Sequence, residues 1–156
     1  MRTSVHYLSL LLFALPALSA RYHIRSSTVP SDCIVSTGRE KAGYPVITAR
    51  YDENHGCPSD TVVNVDLPIQ RNYAYGPVSG KSGLYIGRSK DGKYLEWVEK
   101  PHMDTWEFSH GNFPQFHIVQ VPEHDEFWVN AGADKAVKVL GPGQGVVYWY
   151  FEEVHA

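Results

Sequence analysis

Histidine and acidic side chains are the groups of this chain that could bind a metal or transfer protons, and eight histidines occur among its 156 residues. No His-x-His, His-Glu-x-x-His or Cys-x-x-Cys spacing is present, although such patterns place two ligands on one metal ion. The strongest local cluster is Glu123-His124-Asp125-Glu126. It falls between two strand-like segments, where a polar turn is expected without any metal. We therefore expect no metal site and no cofactor.

Nucleophile and phosphate-binding motifs lack their structural context. Ser79-Gly80 is not part of a Gly-x-Ser-x-Gly elbow, and no helix follows Gly141-Pro142-Gly143-Gln144-Gly145 to supply amide dipoles for a phosphate. Acidic residues are scattered over the turns, and no two stand out as the carboxylate pair of a glycosidase. The sequence predicts a binding protein rather than an enzyme.

The elements that position these residues repeat along the chain. Trp106-Glu107-Phe108 recurs 43 residues later as Trp149-Tyr150-Phe151, and Val63-Asn64-Val65 lies 43 residues before it. A fixed period in this range indicates a repeated supersecondary unit. First strands are predicted at Tyr22-His23-Ile24, Tyr73-Ala74-Tyr75 and Phe116-His117-Ile118, and thirteen residues after each come Val35, Ile86 and Val129.

Third strands are predicted at Val46-Ile47-Thr48, 94–98 and 137–140, and the triplets 43 residues apart are the fourth strands. Three units of four short strands make an all-β chain of twelve strands. Alternation within each strand predicts which side chains face the core. We expect the core to contain Trp106, Phe108, Trp149, Phe151, Val63, Val65, Ile24, Phe116, Ile118, Tyr73, Val35, Ile86 and Val129.

Two positions are predicted to lie nearer the surface. His23 and His117 stand between apolar residues of a first strand, so we expect both on its outer face. Trp97 is flanked by Glu96 and Glu99, which predicts partial exposure.

The N-terminus has the pattern of an export signal. Arg2 is followed by the apolar run 7–15 and by Ala17-Leu18-Ser19-Ala20, so residues 1–20 are predicted to be removed, with cleavage after Ser19 or Ala20. The remaining 21–156 is one domain's worth of chain. Of its charged side chains, 13 are basic and 17 acidic. This acidic balance disfavours nucleic acid and anionic membranes as partners, and we expect a secreted monomer.

Only two cysteines, Cys33 and Cys57, are present, and in an exported chain they predict a disulfide. The first unit is eight residues longer than the other two, and its surplus lies in the polar segment 51–60. A Cys33–Cys57 bridge would tether this insertion to the second strand.

The pattern resembles the fungal β-trefoil peptidase inhibitors, the mushroom serine-protease inhibitors of the cospin type and, more distantly, the macrocypins and clitocypins. The resemblance covers 21–156 and depends on strand anchors spread along the chain. These are Tyr22-His23-Ile24, Gly83-Leu84-Tyr85-Ile86-Gly87, Phe116-His117-Ile118, Phe127-Trp128-Val129, Val137-Lys138-Val139-Leu140 and Trp149-Tyr150-Phe151-Glu152-Glu153-Val154.

The resemblance implies a β-trefoil, a six-stranded barrel closed by three hairpins, that inserts a loop into a serine protease as a substrate would. The loop between the second and third strands is one site that such inhibitors use, and here it reads Ser36-Thr37-Gly38-Arg39-Glu40-Lys41-Ala42-Gly43-Tyr44. Trypsin-like pockets accept Arg or Lys, so the inhibitory loop is predicted at Arg39, Glu40 and Lys41. Arg88, Ser89 and Lys90 form the equivalent loop of the second unit.

Two other functions stay open. A carbohydrate-binding trefoil could stack sugars on exposed aromatics such as Tyr44, Tyr85 or Trp97, although the Gln that ricin-type lectins place two residues before the repeat tryptophan is Asp104 or Val147 here. The chain could also be a secreted effector that binds a host protein by another surface.

Overall fold

The described part of the chain is almost entirely β-structure. The computed structural model describes residues 20–36, 40–65, 73–110, 116–145 and 148–155. Two 3-10 turns, Ser59–Thr61 and Lys100–His102, are its only helical elements. No helix in the described ranges has the length and apolar character of a membrane-spanning segment. The strands are β1 (Ala20–Ser26), β2 (Asp32–Ile34), β3 (Thr48–Arg50), β4 (Val62–Val65), β5 (Tyr73–Gly76), β6 (Val78–Ser79), β7 (Tyr85–Arg88), β8 (Leu95–Val98), β9 (Trp106–His110), β10 (Phe116–Gln120), β11 (Phe127–Val129), β12 (Lys138–Leu140) and β13 (Tyr148–Glu153).

The described residues form thirteen strands where twelve were predicted, because the first strand of the second unit is divided. Pro77 separates β5 from β6, and a proline has no N–H to donate to a ladder. The two halves keep the pairing that one strand would have. β5 pairs with β9, whereas β6 pairs with β4 and β7.

The pairing of first and fourth strands closes a barrel. β1 pairs with β4 and β13, the β5–β6 strand pairs with β9 and β4, and β10 pairs with β13 and β9. Each first strand therefore contacts the fourth strand of its own unit and that of the unit before it. The hairpins β2–β3, β7–β8 and β11–β12 complete the three units. The fold is the predicted β-trefoil.

A cyclic set of backbone hydrogen bonds joins the three hairpins. The Val46 N–H donates to the Leu95 carbonyl, the Leu95 N–H to Val137, and the Val137 N–H back to Val46, each at 2.9 Å. All three side chains are fully buried. We call these three residues the cap ring, because they fix the hairpins to one another around the threefold axis.

Aromatic residues fill the barrel as the sequence predicted. The indole of Trp106 stacks edge-on against Trp128, with ring centroids 5.0 Å apart, and Trp128 packs in the same way against Trp149. The Trp106 indole donates to the Ile86 carbonyl at 3.2 Å and that of Trp149 to the Trp128 carbonyl at 2.9 Å. The other predicted core residues that are buried are Phe108, Val63, Val65, Ile24, Val35, Ile86 and Val129, and Phe151 packs half-buried against them.

The alternation was assigned wrongly in β10. His117 pairs with the inward-facing Trp149 and is 5% exposed, so His117 and Val119 face the core while Ile118 faces the other side. A one-residue slip reverses every side chain of a strand. The predictions of an outer His117 and an inner Ile118 were therefore both wrong. The side chains of Tyr73 and Phe116, also predicted inside, are not among those described.

Trp97 is fully buried, which corrects the prediction of partial exposure. In β8 the side chains of Leu95 and Trp97 alternate inward, whereas Glu96 is half-exposed. Acidic residues close by in the sequence do not turn a strand residue outward when the alternation places it in the core.

The predicted disulfide is present. Cys33 and Cys57 are bonded, with Cα atoms 5.9 Å apart and a sequence separation of 24 residues. Cys33 lies in β2, and Cys57 lies within the insertion 51–60, which folds back on itself through paired hydrogen bonds between Asp52 and Gly56. The bridge therefore tethers this insertion to the β2–β3 hairpin.

Candidate inhibitory loop

The predicted inhibitory loop 36–44 lies between β2 and β3, and its described part consists of the buried Ser36 and the segment 40–44. Residues 37–39, and with them Arg39, lie outside the described residues. Lys41, Ala42, Gly43, Tyr44 and Pro45 are all exposed, and Glu40 is half-buried. A run of five exposed residues leading into a buried hairpin is the kind of projecting segment that a protease cleft can accept.

On one side, the carboxylate of Glu40 holds the loop to the second unit. Its Oε1 accepts the Lys81 N–H at 2.8 Å, and its Oε2 accepts the Ser82 N–H at 2.6 Å. Burial raises the pKa of Glu40 above its ordinary value, whereas these two N–H groups and the Lys81 charge lower it. We call this contact the Glu40 tether.

On the other side, backbone hydrogen bonds hold the loop to β8. The Gly43 N–H donates to the Trp97 carbonyl at 2.8 Å, and the Trp97 N–H donates to the Tyr44 carbonyl at 2.9 Å. A further bond from the Tyr44 N–H to the Lys41 carbonyl closes a four-residue turn, in which Gly43 has a φ of +84°. This value suits the third position of a type II turn, which favours glycine. The turn 41–44 therefore has one defined conformation.

Lys41 presents an exposed cation between these two attachments. Its Nζ lies 3.5 Å from the Tyr44 hydroxyl and 5.0 Å from the centre of the Tyr44 ring. Within the described residues it forms no ion pair. A lysine on a fixed, convex backbone can enter a pocket whose base carries a carboxylate.

The alternative loop is partly occupied by internal contacts. The Arg88 guanidinium pairs with Asp104, with Nη2 to Oδ1 at 3.2 Å, and the Arg88 N–H donates to Asp104 Oδ2 at 2.7 Å. Ser89 is buried. Lys90 is exposed in a turn that the Gly92 N–H closes onto the Ser89 carbonyl. Of the three predicted residues, Lys90 therefore has the side chain most available to a partner.

The two predicted loops border the same open depression of about 470 Å³. Ala42 and Gly43 contribute to it from the first unit, and Arg88 and Lys90 from the second. Glu96, Trp97, Val98, Glu99 and His102 complete its lining. The structure thus brings together two loops that the sequence placed in separate repeats.

The sequence did not predict the Glu40 tether. Glu40 was included as part of the loop, but Lys81 and Ser82 lie more than forty residues away in another unit. No local motif predicts such a contact. Gly80 gives the one retrospective signal, because a Cβ at this position would overlap the Glu40 carboxylate.

The other chemistry considered from the sequence is not assembled in the described ranges. They contain no group of three or more His, Cys, Asp or Glu side chains that could hold a metal ion. Glu123 to Asp125 are exposed in a tight turn, where Glu123 has a φ of +63°. Of the aromatics considered for sugar stacking, Tyr44 is 51% exposed and Tyr85 half-buried, but Trp97 has no exposed surface for a sugar to stack on.

Comparisons with known proteins concern the fold. No protein-family model matches the chain, and no curated protein matches its sequence. Among solved structures, the chain is similar to the crystal structure of ThreeFoil, a designed threefold-symmetric protein, with a TM-score of 0.60 and 9% sequence identity. The likeness covers 86% of this chain and 99% of that one. At so low an identity it shows the shared β-trefoil fold alone.

Proposed function

We propose that this protein is a secreted peptidase inhibitor that blocks a trypsin-like serine protease through the loop containing Arg39, Glu40 and Lys41. The observation that supports the proposal is the exposed Lys41 between two attachments of the backbone, the Glu40 tether and the hydrogen bonds to Trp97. The half-buried, ion-paired Arg88 makes the loop of the second unit the weaker candidate.

Fixed attachments distinguish an inhibitor from a substrate. A flexible loop loses conformational entropy when it binds a protease, whereas a loop already held in its bound shape does not. After cleavage, separately attached ends stay close together, which favours rejoining of the peptide bond over release. The attachments on both sides of Lys41 meet this requirement.

The proposed place of action agrees with two features of the chain. Residues 1–20 have the composition of an export signal, and the Cys33–Cys57 disulfide suits an oxidising environment. A secreted inhibitor would meet proteases outside the cell.

Inhibition of trypsin by the purified mature protein tests the proposal. Replacing the residue that fills the specificity pocket removes a hot spot of roughly 3 kcal/mol or more, so Lys41→Ala should raise the inhibition constant at least 100-fold. Lys41→Leu should shift inhibition toward a chymotrypsin-like enzyme, whose pocket is hydrophobic. Arg39→Ala and Lys90→Ala identify the reactive residue if Lys41 is not it.

Lys100→Ala is the matched control, because Lys100 is also exposed but lies in the 3-10 turn after β8. It should inhibit as the wild type does. Failure of the wild type to inhibit trypsin, subtilisin or papain at micromolar concentration would refute the inhibitor proposal.

A further inference from the structure

A second depression, of about 480 Å³, is surrounded by lysines. It lies between the hairpins of the second and third units and shares no residue with the inhibitory loop. We call it the basic depression. Its rim carries Lys93, Lys135 and Lys138, and its wall is formed by Tyr94, Ala131, Ala136 and Leu140.

Backbone contacts between the two hairpins bring these lysines together. Tyr94 pairs with Lys138 across the hairpins, and the Val139 N–H donates to the Lys93 carbonyl at 2.9 Å. Lys135 belongs to a turn that its N–H closes onto the Gly132 carbonyl. The lysine backbones are thus fixed by the same contacts that hold the hairpins in place.

The charges of the three lysines are only partly offset within the described residues, where Lys93 interacts with the Asp91 carboxylate. All three lysines are exposed, and none forms an ion pair there. The nearest acid along the chain to Lys93 is Asp91, whose carboxylate accepts the Ser89 hydroxyl at 2.7 Å and the Lys93 N–H at 3.0 Å within its own turn. Asp134 is adjacent to Lys135 in sequence, but no carboxylate lines the depression. The lining therefore carries a local excess of positive charge in a protein that is acidic as a whole, and such an excess attracts anions.

The wall of the depression limits what kind of anion fits. Leu140, the two alanines and the half-exposed ring of Tyr94 form an apolar surface, against which a hydrated inorganic ion would gain nothing. A purely apolar ligand would leave three ammonium groups around it without partners. The volume lies within the range of roughly 300–1,000 Å³ that small-molecule sites occupy.

We propose that the basic depression binds an acidic saccharide. The apolar C–H face of a sugar ring packs on Tyr94 and Leu140, which line the depression. Its carboxylate or sulfate groups reach the lysines at the rim. This site is independent of the proposed inhibition, so either function can fail without the other.

Calorimetric titration of the full mature protein tests the proposal with four probes: a trimer of galacturonic acid, a sulfated tetrasaccharide, a neutral galactose trimer and sodium sulfate. We expect at least one acidic saccharide to bind at least tenfold more tightly than the neutral trimer and sodium sulfate. Binding should weaken as the salt concentration rises.

Variants locate the site. Lys93→Ala combined with Lys138→Ala, and separately Lys135→Glu, should weaken binding of the acidic saccharide at least tenfold. Lys90→Ala combined with Lys100→Ala is the matched control and should change it less than twofold. Far-UV circular dichroism and urea denaturation of the Lys93→Ala/Lys138→Ala variant report whether the fold is intact.

Three results would overturn the proposal. Equal binding of sodium sulfate and the saccharides would reduce the site to one for small anions. Equal loss in the control variant would indicate general charge attraction. Absence of binding by both acidic saccharides would remove the site.

Discussion

The Glu40 tether can be broken from either of its two sides, and both changes should weaken inhibition without touching Lys41. Glu40→Ala removes the carboxylate that accepts the Lys81 and Ser82 N–H groups. Gly80→Ala leaves the loop sequence unchanged but places a Cβ where the carboxylate now lies. The carboxylate is at the end of a flexible side chain, so it should move away and lose both hydrogen bonds.

The size of the effect follows from those two hydrogen bonds. Hydrogen bonds to a charged group contribute about 1.5–3 kcal/mol each when shielded from water, whereas exposed ionic contacts contribute about 0.2–1 kcal/mol. Glu40 is half-buried, and we therefore expect a loss of about 1–2 kcal/mol for the pair. At 1.4 kcal/mol per factor of ten, the inhibition constant should rise about 5–30-fold.

A double-mutant cycle in the trypsin assay separates the tether from other causes. Both single changes remove the same contact, so the double variant should be little worse than either one. Gly76→Ala is the control for Gly80→Ala, because a Cβ at Gly76 meets no atom within 4 Å. If Gly80→Ala inhibits like the wild type while Lys41→Ala does not, the tether does not hold the loop in its inhibitory shape.

Two further predictions concern stability, each measured by urea denaturation. Trp97→Ala should destabilise the fold by roughly 3–5 kcal/mol, as expected for a large side chain removed from a packed core; a loss below about 1 kcal/mol would contradict its full burial. Cys33→Ala combined with Cys57→Ala should cost about 3 kcal/mol through the freed loop, and reducing agent should then leave the variant unchanged while it lowers the stability of the wild type.

The architecture was predictable because large apolar residues recur at equivalent positions of the repeats. Trp106 and Trp149 occupy equivalent positions, and their spacing located the fourth strands and, from them, the other three of each unit. The disulfide was predictable because only two cysteines exist. Burial of aromatic residues is the strongest energetic demand of such a barrel, so these features leave a clear trace in the sequence.

The direction that each strand faces was less predictable. In β10, Phe116, Ile118 and Val119 are all apolar, so the sequence permits either set of alternate side chains to face the core. Cross-strand pairing with Trp149 decides it and turns His117 inward. Such pairing joins residues far apart in the chain, so the residue pattern of a single strand does not reveal it.

The candidate site, too, was predictable only in part. The exposed basic residues of both loops were visible in the sequence, but their contacts were not. The pairing of Arg88 with Asp104 and the Glu40 tether both cross between turns. These contacts decide which lysine is free and which loop is held, and they arise only when the units pack.

The three units contribute equally to the cap ring. Every hairpin in it donates one hydrogen bond and accepts one. The N-terminal end of β1 lies beside the C-terminal end of β13 in the barrel wall, where the Val154 N–H donates to the Arg21 carbonyl at 2.8 Å. Linking those ends and reopening the chain between two units would preserve the whole pairing pattern, so this barrel is suited to circular permutation. A fragment that lacks one unit, in contrast, would bury a donor and an acceptor that have lost their partners.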